Sequence, residues 1–148
     1  MRLSANSHKQ LEEFFREHFA DENLELPVIE IYGRRGSRYL TKILAVEGIC
    51  FGRHIFIAPH RLSRDETGRL RASRELVAHE LAHTLQYRRE GIFRFLFNYV
   101  SAYLAALRQK EKRGALARLE AYREIPHEVE ARSVAAKYVD WCECRKSV

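Results

Sequence analysis

The stretch ASRELVAHELAHTLQYRR, running from Ala72 to Arg89, decides how this chain is read. Inside it lies His79-Glu80-Leu81-Ala82-His83, the H-E-x-x-H pattern. A helix turns about 100° per residue, so residues four apart stack on one face. Both imidazoles can then reach one zinc ion at roughly 2.0–2.1 Å. Glu80 is rotated off the pair, where its carboxylate can take a proton from a water on the metal instead of binding it. A chain of this composition gives roughly 0.04 matches by chance, so the surroundings decide. Leu76, Val77, Leu81 and Leu85 recur near helical spacing. Ser73 suits an N-cap, Arg88 and Arg89 suit the negative helix end, and Gly91 suits a stop. In a strand the two histidines would share a face but sit about 13 Å apart. The plain alternative is an amphipathic helix whose histidines are hydrogen-bonded or half-exposed.

Upstream, Asn6 to Ala20 reads as an amphipathic helix with Leu11, Phe14, Phe15 and Phe19 on one side. Asp21 to Pro27 is a connection. Val28 to Tyr32 is a short β-like run ended by Gly33-Arg34-Arg35-Gly36. Lys42 to Val46 and Gly48 to Ile57 read as two more strands, with Gly52 marking a turn or bulge in the second. His60 to Leu70 reads as a polar connector. Downstream, Ile92 to Leu107 is nearly all apolar or aromatic. A membrane span needs about 20 residues, and Arg94 and Asn98 interrupt this run. A buried core helix is the expectation, with a membrane-surface or partner-binding helix as the alternative. Ala115 to Tyr122 reads as a short helix, and Pro126 opens a last one reaching about Glu143.

A catalytic zinc takes three protein ligands and a water, and the last helix offers the third. Its apolar face is set by Ala131, Val134, Ala135, Tyr138 and Cys142. Glu128 falls roughly 60° from the centre of that face, Glu130 roughly 100°, and His127 about 40° on the other side. A carboxylate seldom faces a core without a cation, so Glu128 is the preferred ligand, with Glu130 and His127 as alternatives. A helix-dipole contact is the plain reading of the same glutamate. Tyr122 and His127, both near that turn, are candidate donors to an oxyanion, and Gln86 can orient a ligand from behind.

At 148 residues the chain is expected to be one domain with its own core. Its formal charge of +6 comes mostly from scattered arginines. Small basic runs at Arg34, Arg35 and Arg38, at Arg69, Arg71 and Arg74, and at Arg88 and Arg89 leave nucleic acid as a weakly supported partner. Three cysteines, an odd number, argue against a disulfide framework. The first twenty residues carry Glu12, Glu13 and Glu17 and lack the apolar run of a secretory signal. A cytoplasmic, reducing location is the expectation.

Three segments carry a resemblance: Gly52 to Ile57, His79 to Gln86, and Tyr122 to Ala131. Together they resemble a minimal gluzincin, most closely the small bacterial metallopeptidase-like domains of contractile injection systems, over roughly Val28 to Asp140. The Glu128-Val129-Glu130-Ala131 segment also resembles the third-ligand helix of membrane-bound zinc peptidases related to CAAX proteases and heat-shock peptidases, whose first glutamate binds zinc. Those families follow the alanine with an aspartate, where this chain has Arg132. The resemblance implies an α+β zincin-like fold: a small antiparallel or mixed sheet on the H-E-x-x-H helix, with a helical C-terminal half. Its edge strand, here Gly48 to Ile57, would hold an extended peptide by β-augmentation. The implied activity is zinc-dependent peptide hydrolysis, with His79, His83 and Glu128 on zinc and Glu80 as general base. The alternatives are a zinc-binding scaffold without proteolysis and a DNA-associated protease.

Overall fold

The computed structural model describes residues 3–33, 47–64, 66, 70–111 and 114–145. Among them the chain forms an α+β arrangement, mostly helical, with two small sheets. Helix α1 (Ala5–Phe19) starts at Ser4, whose side chain accepts from the Ser7 amide at 3.1 Å. It buries Leu11, Phe14 and Phe15, the spacing that its apolar pattern requires.

Strands β1 (Glu30–Tyr32), β2 (Gly48–Phe51) and β3 (His54–Ile57) form one sheet in the order β1-β3-β2. β1 runs parallel to β3, and β2 antiparallel to it. The run Gly48 to Ile57 is therefore not one edge strand but a hairpin. Gly52, at φ +58°, supplies the left-handed residue that lets the chain reverse over Gly52 and Arg53. β3 lies in the middle of the sheet, so β1 and β2 are its edge strands among the described residues. The strand expected at Lys42 to Val46 lies outside those residues. The described residues of the expected connector His60 to Leu70 include regular structure. A 3₁₀ turn (Pro59–Arg61) leads into a second hairpin of β4 (Leu62–Arg64) and β5 (Leu70–Ala72).

Helix α2 (Arg74–Glu90) follows, capped by Ser73, which accepts from the Leu76 amide at 3.2 Å, and stopped by Gly91 at φ +80°. Helix α3 (Ile92–Arg108) turns back and is joined to α4 (Ala115–Glu124), then α5 (Pro126–Cys144) opens on its proline. The core lies where α2 meets the sheet, α1 and α5: Phe15, Ile31, Ile55, Leu81, Val134 and Tyr138 are all buried there. α1 is fastened to α5 by Phe14, whose ring lies 5.1 Å from Tyr138 and 5.9 Å from Trp141.

Helix α3 is not the buried core helix that its composition suggests. Phe95 is its one buried residue, whereas Phe93 is 87% exposed and Phe97 73%. Only one side of α3 has a body to pack against, so the apolar residues on its other side stay in solvent. No helix is long and apolar enough to cross a membrane among the described residues. Cys50 and Cys142 are buried free thiols and Cys144 is an exposed one, in line with the odd count.

Candidate metal centre

α2 and α5 pack along each other and bring three side chains to one point. His79 and His83 come from successive turns of α2, and Glu128 from the first turn of α5. His79 Nε2 lies 3.3 Å from Glu128 Oε2, His83 Nε2 lies 3.2 Å from Glu128 Oε1, and the two imidazole Nε2 atoms are 3.2 Å apart. Donor atoms bound tetrahedrally to one zinc at roughly 2.0–2.1 Å stand about 3.3–3.4 Å from each other. The two imidazole nitrogens, and each of them with one of the two Glu128 oxygens, stand close to that separation. Glu128 is buried, and its Oε2 has no hydrogen-bond partner. His79 Nε2 at 3.3 Å and Arg132 Nη1 at 3.7 Å approach that oxygen, and a buried carboxylate so weakly paired beside two imidazoles is costly unless a cation sits among them. This group of residues therefore could hold a metal ion.

The electrostatics fit the same donor set. Burial by itself would raise the Glu128 carboxyl, but the His79 and His83 imidazoles against it hold it well below the usual carboxylate range. Burial would lower the His83 imidazole, but Glu128 outweighs it and holds His83 above its ordinary value. Glu80 lies beside the cluster, and burial pushes it up to about 7 against the pull of His83 and His79. Its carboxylate rests against the backbone of β2: a Cβ added at Gly48 would stand 2.1 Å from Glu80 Oε1. Gly48 thus makes the recess that the Glu80 head group fills.

The centre opens onto a cavity of about 690 Å³. Gly48 to Phe51 of β2 line one part, Phe95, Leu96, Tyr99 and Tyr103 of α3 with Leu119 and Tyr122 of α4 line another, and Glu80, His83 and Glu128 contribute the acid and imidazole groups. Ala58 N donates to Glu47 O across the β2–β3 ladder. In that register Gly48 and Cys50 turn their N–H and C=O groups away from β3, toward the outer edge. The Cys50 carbonyl accepts from the Tyr87 hydroxyl at 3.0 Å.

The other residues singled out in the sequence are distributed as follows. Gln86 is buried, with Oε1 2.8 Å from His83 Nδ1. Tyr122 lines the cavity, and burial followed by the nearby Glu128 charge pushes its hydroxyl well up. His127 does not join the cluster: its Nε2 meets Glu90 at 3.1 Å and its ring packs on Phe95 at 4.6 Å. Nor does Glu130, which is engaged by Arg89 and Gln86. A residue at the centre that sequence reasoning missed is Tyr99, whose hydroxyl donates to Glu128 Oε1 at 2.8 Å. Its only signal was helical spacing with Phe95 and Tyr103 on one face of α3.

The family profile of the eCIS core domain matches residues 2–91. The match takes in α1, the three-stranded sheet and the whole of α2 with His79, Glu80 and His83, and it ends at Gly91, before Glu128. No curated protein and no solved structure matches the chain. On the family match, which spans more than half of its length, the chain belongs to the eCIS core domain family.

Proposed function

We propose that this chain is a zinc-dependent metallopeptidase of zincin-like architecture. The observation that carries the reading is the convergence of His79, His83 and Glu128, with the two imidazole nitrogens 3.2 Å apart and each 3.2–3.3 Å from one oxygen of a buried carboxylate. His79, His83 and Glu128 would hold the ion, and a donor set of two imidazoles and a carboxylate suits zinc. When bound, zinc supplies Lewis-acid polarisation of a peptide carbonyl and a water acidic enough to lose a proton near neutrality.

The chain's own groups do the rest. Glu80, pushed up to about 7, is matched to a base that works near neutral pH. Its carboxylate takes one proton from the attacking water and delivers it to the amine nitrogen of the leaving half. The Tyr122 hydroxyl, kept neutral by burial and the Glu128 charge, donates a hydrogen bond to the carbonyl oxygen as it gains charge. Tyr99 holds the Glu128 carboxylate in place through its 2.8 Å hydrogen bond. The outward backbone groups of Gly48 and Cys50 hold an extended peptide along β2, on the side of the cavity where Glu80 lies. His127, facing Glu90, has no part in these steps.

The test is Glu80→Gln, which keeps the shape of the side chain and removes its basicity. The variant is expected to bind zinc like wild type and to lose cleavage of an unstructured protein substrate by roughly 10²–10⁴-fold. Full activity in this variant overturns the general-base role. A second reading, a metal-binding module that does not cleave, is favoured by Arg132, whose Nη1 lies 3.7 Å from Glu128 Oε2. A guanidinium there competes for the same oxygen. Protein carrying one zinc per chain that cleaves no unstructured substrate selects this second reading.

A further inference from the structure

Behind His83, on the side away from the cavity, lies a chain of polar groups that the hydrolytic reading does not use. His83 Nδ1 meets Gln86 Oε1 at 2.8 Å. The Gln86 amide nitrogen donates twice, to the His127 carbonyl at 3.0 Å and to Glu130 Oε2 at 2.9 Å. Arg89 then grips both oxygens of Glu130, at 3.0 and 3.1 Å. Gln86 is 2% exposed, so its amide has no water to fall back on.

Hydrogen-bond chemistry fixes the direction of every link. A backbone carbonyl and a carboxylate can only accept, so the Gln86 group facing both must be its NH₂. Turning the amide over would aim its oxygen at two acceptors and leave them opposed in a buried site. The Gln86 oxygen therefore faces His83, and an amide oxygen only accepts, so the proton of the neutral imidazole belongs on Nδ1. Nε2 stands 3.2 Å from both His79 Nε2 and Glu128 Oε1, and with Nδ1 protonated it is the nitrogen that can offer a lone pair to a metal.

We propose that Arg89 and Glu130 are positioning residues that, through Gln86, hold His83 in the Nδ1–H tautomer and so present Nε2 as an electron-pair donor at the three-donor cluster. Glu130 was a candidate ligand by sequence, and on this reading it acts on the metal centre without touching it. Its place two residues beyond Glu128, on the same helix turn, lets α5 both supply one ligand and orient another that belongs to α2. The Nδ1–H statement rests on the Gln86 hydrogen bonds. The consequence for zinc rests on the metallopeptidase reading above.

The test compares wild type with Glu130→Ala, Glu130→Gln and Arg89→Met by two measurements that do not depend on activity. Long-range ¹H–¹⁵N correlation spectra of the metal-free protein, with imidazoles neutral, report which ring nitrogen of His83 carries the proton. Competition with a chromophoric chelator reports zinc affinity. Wild type is expected to show the Nδ1–H pattern. Glu130→Ala is expected to add a population of the Nε2–H form and to weaken zinc binding roughly tenfold. Glu130→Gln, whose amide oxygen still accepts from Gln86, is expected to stay near wild type in both, and Arg89→Met to fall between the two. A pair that merely tied α2 to α5 would lower the melting temperature in Glu130→Ala and leave the His83 pattern in place, and that result overturns the proposal. So does a wild-type His83 protonated on Nε2. A wild type with the Nδ1–H pattern that shifts as expected, but binds no zinc, upholds the proposal and removes the metal reading instead.

Discussion

Helices α2 and α3 are each 17 residues long and follow one another across Gly91, yet they use their residues in opposite ways. α2 contains two histidines, a glutamine, a threonine and several charges, and nine of its residues are buried, including Glu80, His83, Thr84 and Gln86. α3 is far more apolar and buries Phe95 alone. The contrast teaches that composition states what a helix tolerates, while its neighbours decide what it buries. α2 has the sheet on one side and α5 on another, so its polar groups must find partners inside. They do: His83 with Gln86, Gln86 with the His127 carbonyl, and Thr84 with the Gly52 carbonyl at 3.0 Å. α3 has the cavity on one side and open solvent on the other.

The contrast is easiest to break in stability. Leu81 is fully buried under the sheet, so Leu81→Ala is expected to cost about 3–4 kcal/mol in a denaturant titration. Phe97, 73% exposed on α3, is expected to change stability by less than about 0.5 kcal/mol as Phe97→Ser. A loss above about 1.5 kcal/mol in Phe97→Ser would mean that the α3 face is covered in solution.

A subtler change sharpens the account of α2. A methyl group at Gly48 would collide with the Glu80 carboxylate, which would have to move toward the cavity that it lines. Gly48→Ala is expected to leave zinc binding intact and to lower cleavage roughly tenfold or more by displacing the base. Equal loss of zinc and cleavage would show that the substitution disturbs α2 as a whole.

The smallest effect is in pH dependence. Burial pushes the Cys50 thiol up to about 12, so it stays neutral in the fold while an unfolded chain ionises at its ordinary value. The neutral thiol therefore favours folding fully below that ordinary value, and the advantage is lost as pH rises above it. Between pH 7 and 9.5 this amounts to about 1 kcal/mol. Cys50→Ala is expected to flatten that part of the stability curve, as read by thermal melts across the range. An unchanged slope assigns it to other groups.

Much of the centre was legible because it obeys local periodicity. His79 and His83 had to share a helix face at a spacing of four, and Glu128 fell on the inward side of the last helix. What the sequence withheld depends on contacts between distant elements. Gly48 looks like any strand glycine until Glu80, thirty-two positions on, is packed against it. Tyr99 sits in an apolar run and acquires a role only because α3 folds back over Glu128. Helical position favoured Glu128 over Glu130 as a ligand, but only the packing of Arg89 and Gln86 gives Glu130 a place of its own. The β4–β5 hairpin was read as a connector because each strand is three residues long, too short for the alternation of a strand to stand out.

The central claim, that His79, His83 and Glu128 form a metal centre, is tested most directly by elemental analysis of zinc per chain. Wild type, Glu128→Ala, Glu130→Ala and His127→Ala would be prepared side by side with saturating zinc and freed of loosely bound ion. The account predicts one zinc per chain in wild type, in Glu130→Ala and in His127→Ala, and none in Glu128→Ala. Wild-type protein without zinc, or a Glu128→Ala variant that retains it in full, would contradict the account.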